Sequence, residues 1–275
     1  GNRGPKRLLW RVSPNGSMVA YHKAREAEGR VWLLTSDLML VPADRVRAVK
    51  RHTFQGIPLG KGVDLPLAWN RAKETKPLWK KGEDGGFVVS EKTIGAKGYM
   101  EITDAPVKDK NGDVYYELRE DPGYFFPEKG ATFTRVRKEL PGGVKPGGKW
   151  IEAKILPGTL TVYEGLTPIY ATLFSPGKGG VPIKGHDHTK WATTQIGYFP
   201  IEWKDRVATM SNEKGEPKVL WFSDVPNIQY LKAPLAMHVA YWHQNFSQPM
   251  SAECVNVSAM DGQYLFNFTD PPVPE

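Results

Sequence analysis

Apolar and polar residues alternate along this chain in short runs, and turn residues cut the runs every few positions. No stretch holds a 3.6-residue apolar period for four helical turns, so the pattern predicts strands and tight turns rather than long helices. Two segments show it most clearly. Gly29-Arg-Val-Trp-Leu-Leu-Thr-Ser-Asp-Leu-Met-Leu-Val-Pro42 and Gly112-Asp-Val-Tyr-Tyr-Glu-Leu-Arg-Glu-Asp-Pro-Gly-Tyr-Phe-Phe-Pro127 both run from Gly-x-Val-aromatic through a polar turn to an apolar strand ending in proline. Each reads as a β-hairpin. The shared pattern implies two small β modules in the N-terminal half.

Punctuation sets the boundaries. Asn70 to Gly86 is Lys-rich and polar and reads as a linker or long surface loop. Leu140-Pro-Gly-Gly-Val-Lys-Pro-Gly-Gly148 is turn or linker chemistry. Beyond it, Lys149–Leu156, Thr159–Glu164 and Pro168–Ser175 read as a three-stranded meander with tight turns. The expected division is a first module over 1–75, a linker and second module over 76–138, a Gly/Pro linker over 139–148, and a domain over 149–275.

Composition narrows the class. At 275 residues, 40% hydrophobic and 24% charged, the chain can bury a substantial core. Its net charge of +7 suits either an ordinary basic protein or attraction to a polyanionic envelope. No Lys/Arg run is interleaved with aromatics in a nucleic-acid module, so nucleic acid is not an expected partner. No apolar run is long enough to span a bilayer. The opening Gly1-Asn-Arg-Gly-Pro-Lys-Arg7 lacks a signal-peptide core, which reads as a mature or trimmed chain. One cysteine excludes an internal disulfide framework and a Cys-rich metal site, and leaves a thiol available for chemistry.

That thiol stands in His238-Val-Ala-Tyr-Trp-His243-Gln-Asn-Phe-Ser-Gln-Pro-Met-Ser251-Ala-Glu-Cys254-Val-Asn256. A His followed at this distance by Ser-x-x-Cys-x-Asn resembles the signature of the L,D-transpeptidase (YkuD) family, cysteine enzymes that cross-link bacterial peptidoglycan. Further matches fall in the family's order: the Lys149-Trp-Ile strand, the Tyr163-Glu-Gly165 turn, and Thr194-Gln-Ile-Gly197-Tyr-Phe199-Pro-Ile201. The resemblance covers about 149–275 and implies a mainly β chain, with a C-terminal YkuD-like β-sandwich preceded by one or two SH3-like β modules.

It also implies roles. Cys254 is the nucleophile and His238 the base that takes its proton, since a free thiol is only a few per cent ionised at neutral pH. Tyr241, Trp242 and His243 wall the donor stem-peptide site or simply pack. Ser251 bonds His238 or shapes the nucleophile loop, and Asn256 holds that loop. The implied partners are peptidoglycan stem peptides and the sacculus, the implied place is the bacterial envelope, and no cofactor or metal is called for.

Two positions depart from the family's Ser-His-Gly-Cys-x-Asn: Ala252 replaces His and Glu253 replaces Gly. If the backbone at Glu253 needed positive φ, a side chain there would cost ~1 kcal/mol or more and disturb oxyanion donors worth ~3–4 kcal/mol each. A carboxylate beside Cys254 also disfavours the thiolate. Val239 follows His238 where the family often has Gly or Ser, so a reshaped loop is expected there. The motif therefore supports either a working cysteine acyltransferase or a silent peptidoglycan-binding protein that keeps the fold. His186 and His188 would share a strand face but lack further ligands nearby, and they read as part of a surface loop.

Overall fold

The structure, a computed structural model, describes residues 12–211 and 220–274. Residues 1–11 of the expected first module, and 212–219 and 275 of the expected C-terminal domain, lie outside the described residues. The chain is mainly β, arranged in several antiparallel sheets.

The two predicted hairpins form where the alternation places them. Arg30–Leu34 pairs with Leu40–Pro42, and Lys23–Ala27 adds a third strand on the other side. Val114–Leu118 pairs with Tyr124–Pro127 inside a seven-stranded sheet. That sheet also contains Leu67–Asn70, between Ala131–Thr134 and Tyr99–Lys108, so it joins strands from both sides of position 75.

The segment expected to be a linker is different. Lys76–Lys81 is a strand of the same sheet, paired with both Phe87–Ile94 and Tyr124–Pro127. Its lysines hid a short apolar centre: Leu78 is fully buried, while Lys80 lies over the Tyr124 ring, 4.4 Å from its centroid. Residues 139–148 are irregular turns.

The C-terminal half is built from two four-stranded sheets packed as a β-sandwich. The predicted meander appears as Lys149–Lys154, Thr159–Glu164 and Thr167–Leu173. Its outer strand is continued by Ile57–Pro58, contributed by the N-terminal half. The second sheet orders Trp203–Ser211, Trp221–Lys232, Leu235–Val239 and Val255–Val257, with the last two strands parallel. Leu235–Val239 is buried along its whole length, as a parallel strand covered on both faces should be.

Leu160, Val162 and Tyr170 of the first sheet, with Phe174 just past its last strand, meet Met237, Val255 and Val257 of the second, and Leu265 completes the core. Leu265 lies on the helix Ala259–Phe268, whose N-cap Ser258 accepts from the Asp261 N–H. A second core cluster sets Leu59, Leu65, Leu67 and Trp69 against Ala171, Leu173 and Phe246, binding the N-terminal half to the sandwich.

Candidate active site

His238 and Asn256 face each other in register across the parallel strand pair, and Cys254 lies just before the second strand. The Ser251–Asn256 loop is stitched to residues 175–178. Ser175 and Asn256 exchange backbone hydrogen bonds of 2.8 and 3.0 Å, Ser251 N–H donates to the Pro176 carbonyl at 3.1 Å, and Lys178 N–H donates to the Ser251 carbonyl at 3.0 Å. Ser251 Oγ donates to the Cys254 carbonyl at 2.6 Å, so this serine shapes the loop rather than touching His238.

Thr194, from the Thr-Gln-Ile-Gly segment, is the loop's second brace. Its hydroxyl accepts from Gly177 N–H at 2.8 Å and donates to the Glu253 carbonyl at 2.7 Å. Neither Ala252 nor Glu253 has positive φ, so the two substitutions impose no left-handed backbone strain here. Glu253 is buried rather than turned outward, and Thr189 Oγ1 donates to its Oε1 at 3.2 Å.

His238 is buried, and its Nδ1 lies 3.0 Å from the Val239 carbonyl. A carbonyl only accepts, so Nδ1 carries the proton and Nε2 keeps the lone pair. Desolvation lowers this imidazole to about 4, partly offset by that same carbonyl, so the ring is neutral near pH 7. Val239 continues the strand with ordinary extended backbone.

His243 is committed elsewhere. Asn245 N–H donates to its Nδ1 at 3.3 Å, which places the neutral ring's proton on Nε2. The Asn256 amide lies 3.3 Å from that Nε2, and its oxygen has no other partner. The amide orientation that satisfies both groups has Nε2–H donating to Asn256 Oδ1. Desolvation lowers His243 to about 4, helped by the positive charges that His52, His238 and Lys178 would bring to bear.

The sulfur is engaged elsewhere. Cys254 Sγ donates to the Pro234 carbonyl at 3.7 Å and, among the described residues, makes no hydrogen bond to His238 or His243. It packs against the Val225, Ile228 and Ala236 cluster. Desolvation pushes the thiol up to about 11, with the Ala236 N–H opposing and the Glu253 carboxylate adding to the rise. Trp242 stands beside His238 with centroids 5.8 Å apart, while Tyr241 Oη donates to the Ser223 carbonyl at 2.7 Å. Both also pack against the cluster that holds the sulfur, so their packing role is visible in the geometry.

No family model matches the chain, and no curated protein matches it. One solved structure is similar in part, an L,D-transpeptidase (Yku) from Stackebrandtia nassauensis. The likeness spans 48% of this chain and 57% of that one, at 21% identity and a TM-score of 0.32.

Two residues with a place at the site escaped the sequence reading of roles. Asp261 is fully buried. Its Oδ1 accepts from Tyr170 Oη at 2.7 Å and Gly56 N–H at 2.8 Å, and its Oδ2 accepts from Thr172 and Ser258 hydroxyls, each at 2.7 Å. The Ser258-x-x-Asp261 capping pattern was the signal available for it. His52 comes from the far N-terminal half and reaches Phe246 at 5.2 Å between centroids, with nothing in its local sequence to mark it. His186 and His188 lie outside this group: one stacks on Trp191 at 5.2 Å, the other holds Thr193 Oγ1 at 3.0 Å.

Proposed function

We propose that this protein is an L,D-transpeptidase-like cysteine acyltransferase acting on peptidoglycan stem tetrapeptides in the bacterial envelope. The observation that carries the reading is the His238 tautomer. A neutral imidazole with Nδ1–H tied to a carbonyl presents Nε2 as a base, on the strand that pairs with the one Cys254 leads into.

The chemistry requires Sγ to leave the Pro234 carbonyl and turn to His238 Nε2, which takes the thiol proton. The thiolate attacks the carbonyl between residues three and four, and the tetrahedral intermediate collapses as His238 returns the proton to the departing D-alanine amine. An acceptor amine then attacks the thioester, gives up a proton to His238 and restores the thiol, leaving a 3→3 cross-link. Water in place of the amine makes the step a hydrolysis. The N-terminal half, read as small wall-binding modules, holds the protein on the sacculus.

The raised thiol and the buried carboxylate of Glu253 favour a second reading, a peptidoglycan-binding protein with a silent site. Intact-mass spectrometry after incubation with a carbapenem, and separately with a disaccharide tetrapeptide, decides between them. A mass increase lost in Cys254→Ala, or release of D-alanine, is the expected result. Protein that binds sacculi but forms neither product is a binder, and the acyltransfer reading then fails.

A further inference from the structure

Positive charge gathers without compensation where the N-terminal half meets the loop after His243. Arg71 Nη2 donates to the Ser247 carbonyl at 3.0 Å, while its Nε is buried with no partner. Lys97 is half-buried, its backbone N–H donates to the carbonyl of Asn70, the residue before Arg71, at 3.0 Å, and it lies within electrostatic reach of Lys73. Among the described residues, none of Arg71, Lys73 and Lys97 forms an ion pair. His52 packs edge-on to Phe246, which also stacks on Phe54 at 5.5 Å and lies 5.3 Å from His243; the ring is tied to the Ala240 backbone and stays neutral, leaving Nδ1 buried without a partner. The carboxylate that acts on His52 is Asp261, and four hydrogen bonds already occupy its oxygens.

Like charges drawn together and partly desolvated are unfavourable unless an anion answers them. The unpartnered, buried Nε–H of Arg71 adds a donor that a charged oxygen would satisfy. We infer that Arg71 and Lys97, with Lys73 at the rim, form a carboxylate-binding subsite beside the loop that runs from His243 to Ser247, which takes a carboxylate of the stem peptide. The identity of the ligand rests on the peptidoglycan reading above; the charge cluster does not. On this inference the N-terminal half does more than tether the protein, because it supplies the groups that orient the peptide along the Phe246 loop.

The test uses the full chain carrying Cys254→Ala, so that binding is measured without turnover. Isothermal titration compares a disaccharide tetrapeptide bearing free carboxylates with the same compound amidated at its carboxyls. Two variants probe the site: Lys73→Gln at an exposed position, and Lys97→Asn, chosen because Lys97 has φ +58° and asparagine accepts that backbone. Urea midpoints matching the parent confirm that both variants fold. The expected result is roughly tenfold weaker binding of the free acid in each variant, with the amidated ligand weak throughout. Equal binding of the two ligands, or variants that bind like the parent, overturns the subsite. Inorganic phosphate that displaces the peptide at equal concentration overturns its assignment to a peptide carboxylate. The unmutated thiol is scored separately with a carbapenem: no adduct, with charge-dependent binding intact, sinks acyl transfer and upholds the subsite.

Discussion

At neutral pH a thiol held near 11 is ionised in roughly one molecule in ten thousand, against a few per cent for an ordinary cysteine. Two causes raise it, burial first and the Glu253 carboxylate second, and only the second can be removed by one isosteric change. Glu253→Gln should therefore lower the pH at which iodoacetamide alkylation of Cys254 inflects, without bringing it to the free-thiol value. An inflection that does not move would show that Glu253 has no electrostatic hold on the sulfur. The histidines act in the opposite pH range. Burial lowers His238 and His243 from 6.5 to about 4, so the folded state favours the neutral rings. Their contribution to stability is fully present above 6.5 and is lost as pH falls through about 4. Urea midpoints measured from neutrality down to pH 4 should fall, and His238→Gln should flatten that fall. A midpoint profile identical in the variant would remove His238 as a cause of acid sensitivity.

Between elements, the Ala259–Phe268 helix approaches the His238 strand closely. A Cβ on Gly262 would run into Val239 Cγ2, and a β-branched side chain in a buried strand cannot swing clear. Gly262→Ala should cost about 1–3 kcal/mol by urea denaturation, and adding Val239→Ala should recover part of it. Strict additivity of the two substitutions would contradict the clash. The same helix shows where sequence pattern runs out. It is ten residues long, and Asp261 and Gly262 share its buried side with Leu265 and Phe266, so the apolar period is interrupted on the face that packs inward. The hairpins at 30–42 and 114–127 were legible because each sets two short apolar runs on either side of a polar turn, and the meander because Gly and Pro mark its turns. Lys76–Lys81 was not, because its lysine-rich composition outweighed the single buried residue, Leu78. The neighbouring positions of His238 and Cys254 could be read from their motif. The direction of the sulfur could not, since it depends on the Pro234 carbonyl and the cluster around Ala236. His52 had no local signal at all.

Taken as a whole, the molecule does not separate cleanly at residue 149. Trp69 and Phe246 share one core cluster, Arg71 binds the Ser247 carbonyl, Thr132 Oγ1 donates to the Pro157 carbonyl at 2.7 Å, and Gly56 N–H binds Asp261. A fragment starting at 149 should therefore unfold at lower urea than the full chain, by an amount that supplying the N-terminal half as a separate polypeptide partly restores. A fragment as stable as the whole would mean that these contacts contribute little.

The short pairing of Ile57–Pro58 with Tyr170 and Ala171 also changes what the sandwich presents to other molecules. Without it, the Thr167–Leu173 strand is the outer strand of its sheet, with backbone donors and acceptors open to any extended chain that drifts past. The N-terminal segment occupies that row with two residues, one of them a proline whose missing N–H cannot pass the ladder onward. A sandwich cut free of this segment is thus a template for joining its own copies edge to edge, and light scattering from the 149–275 fragment should rise with concentration where the intact chain stays clear.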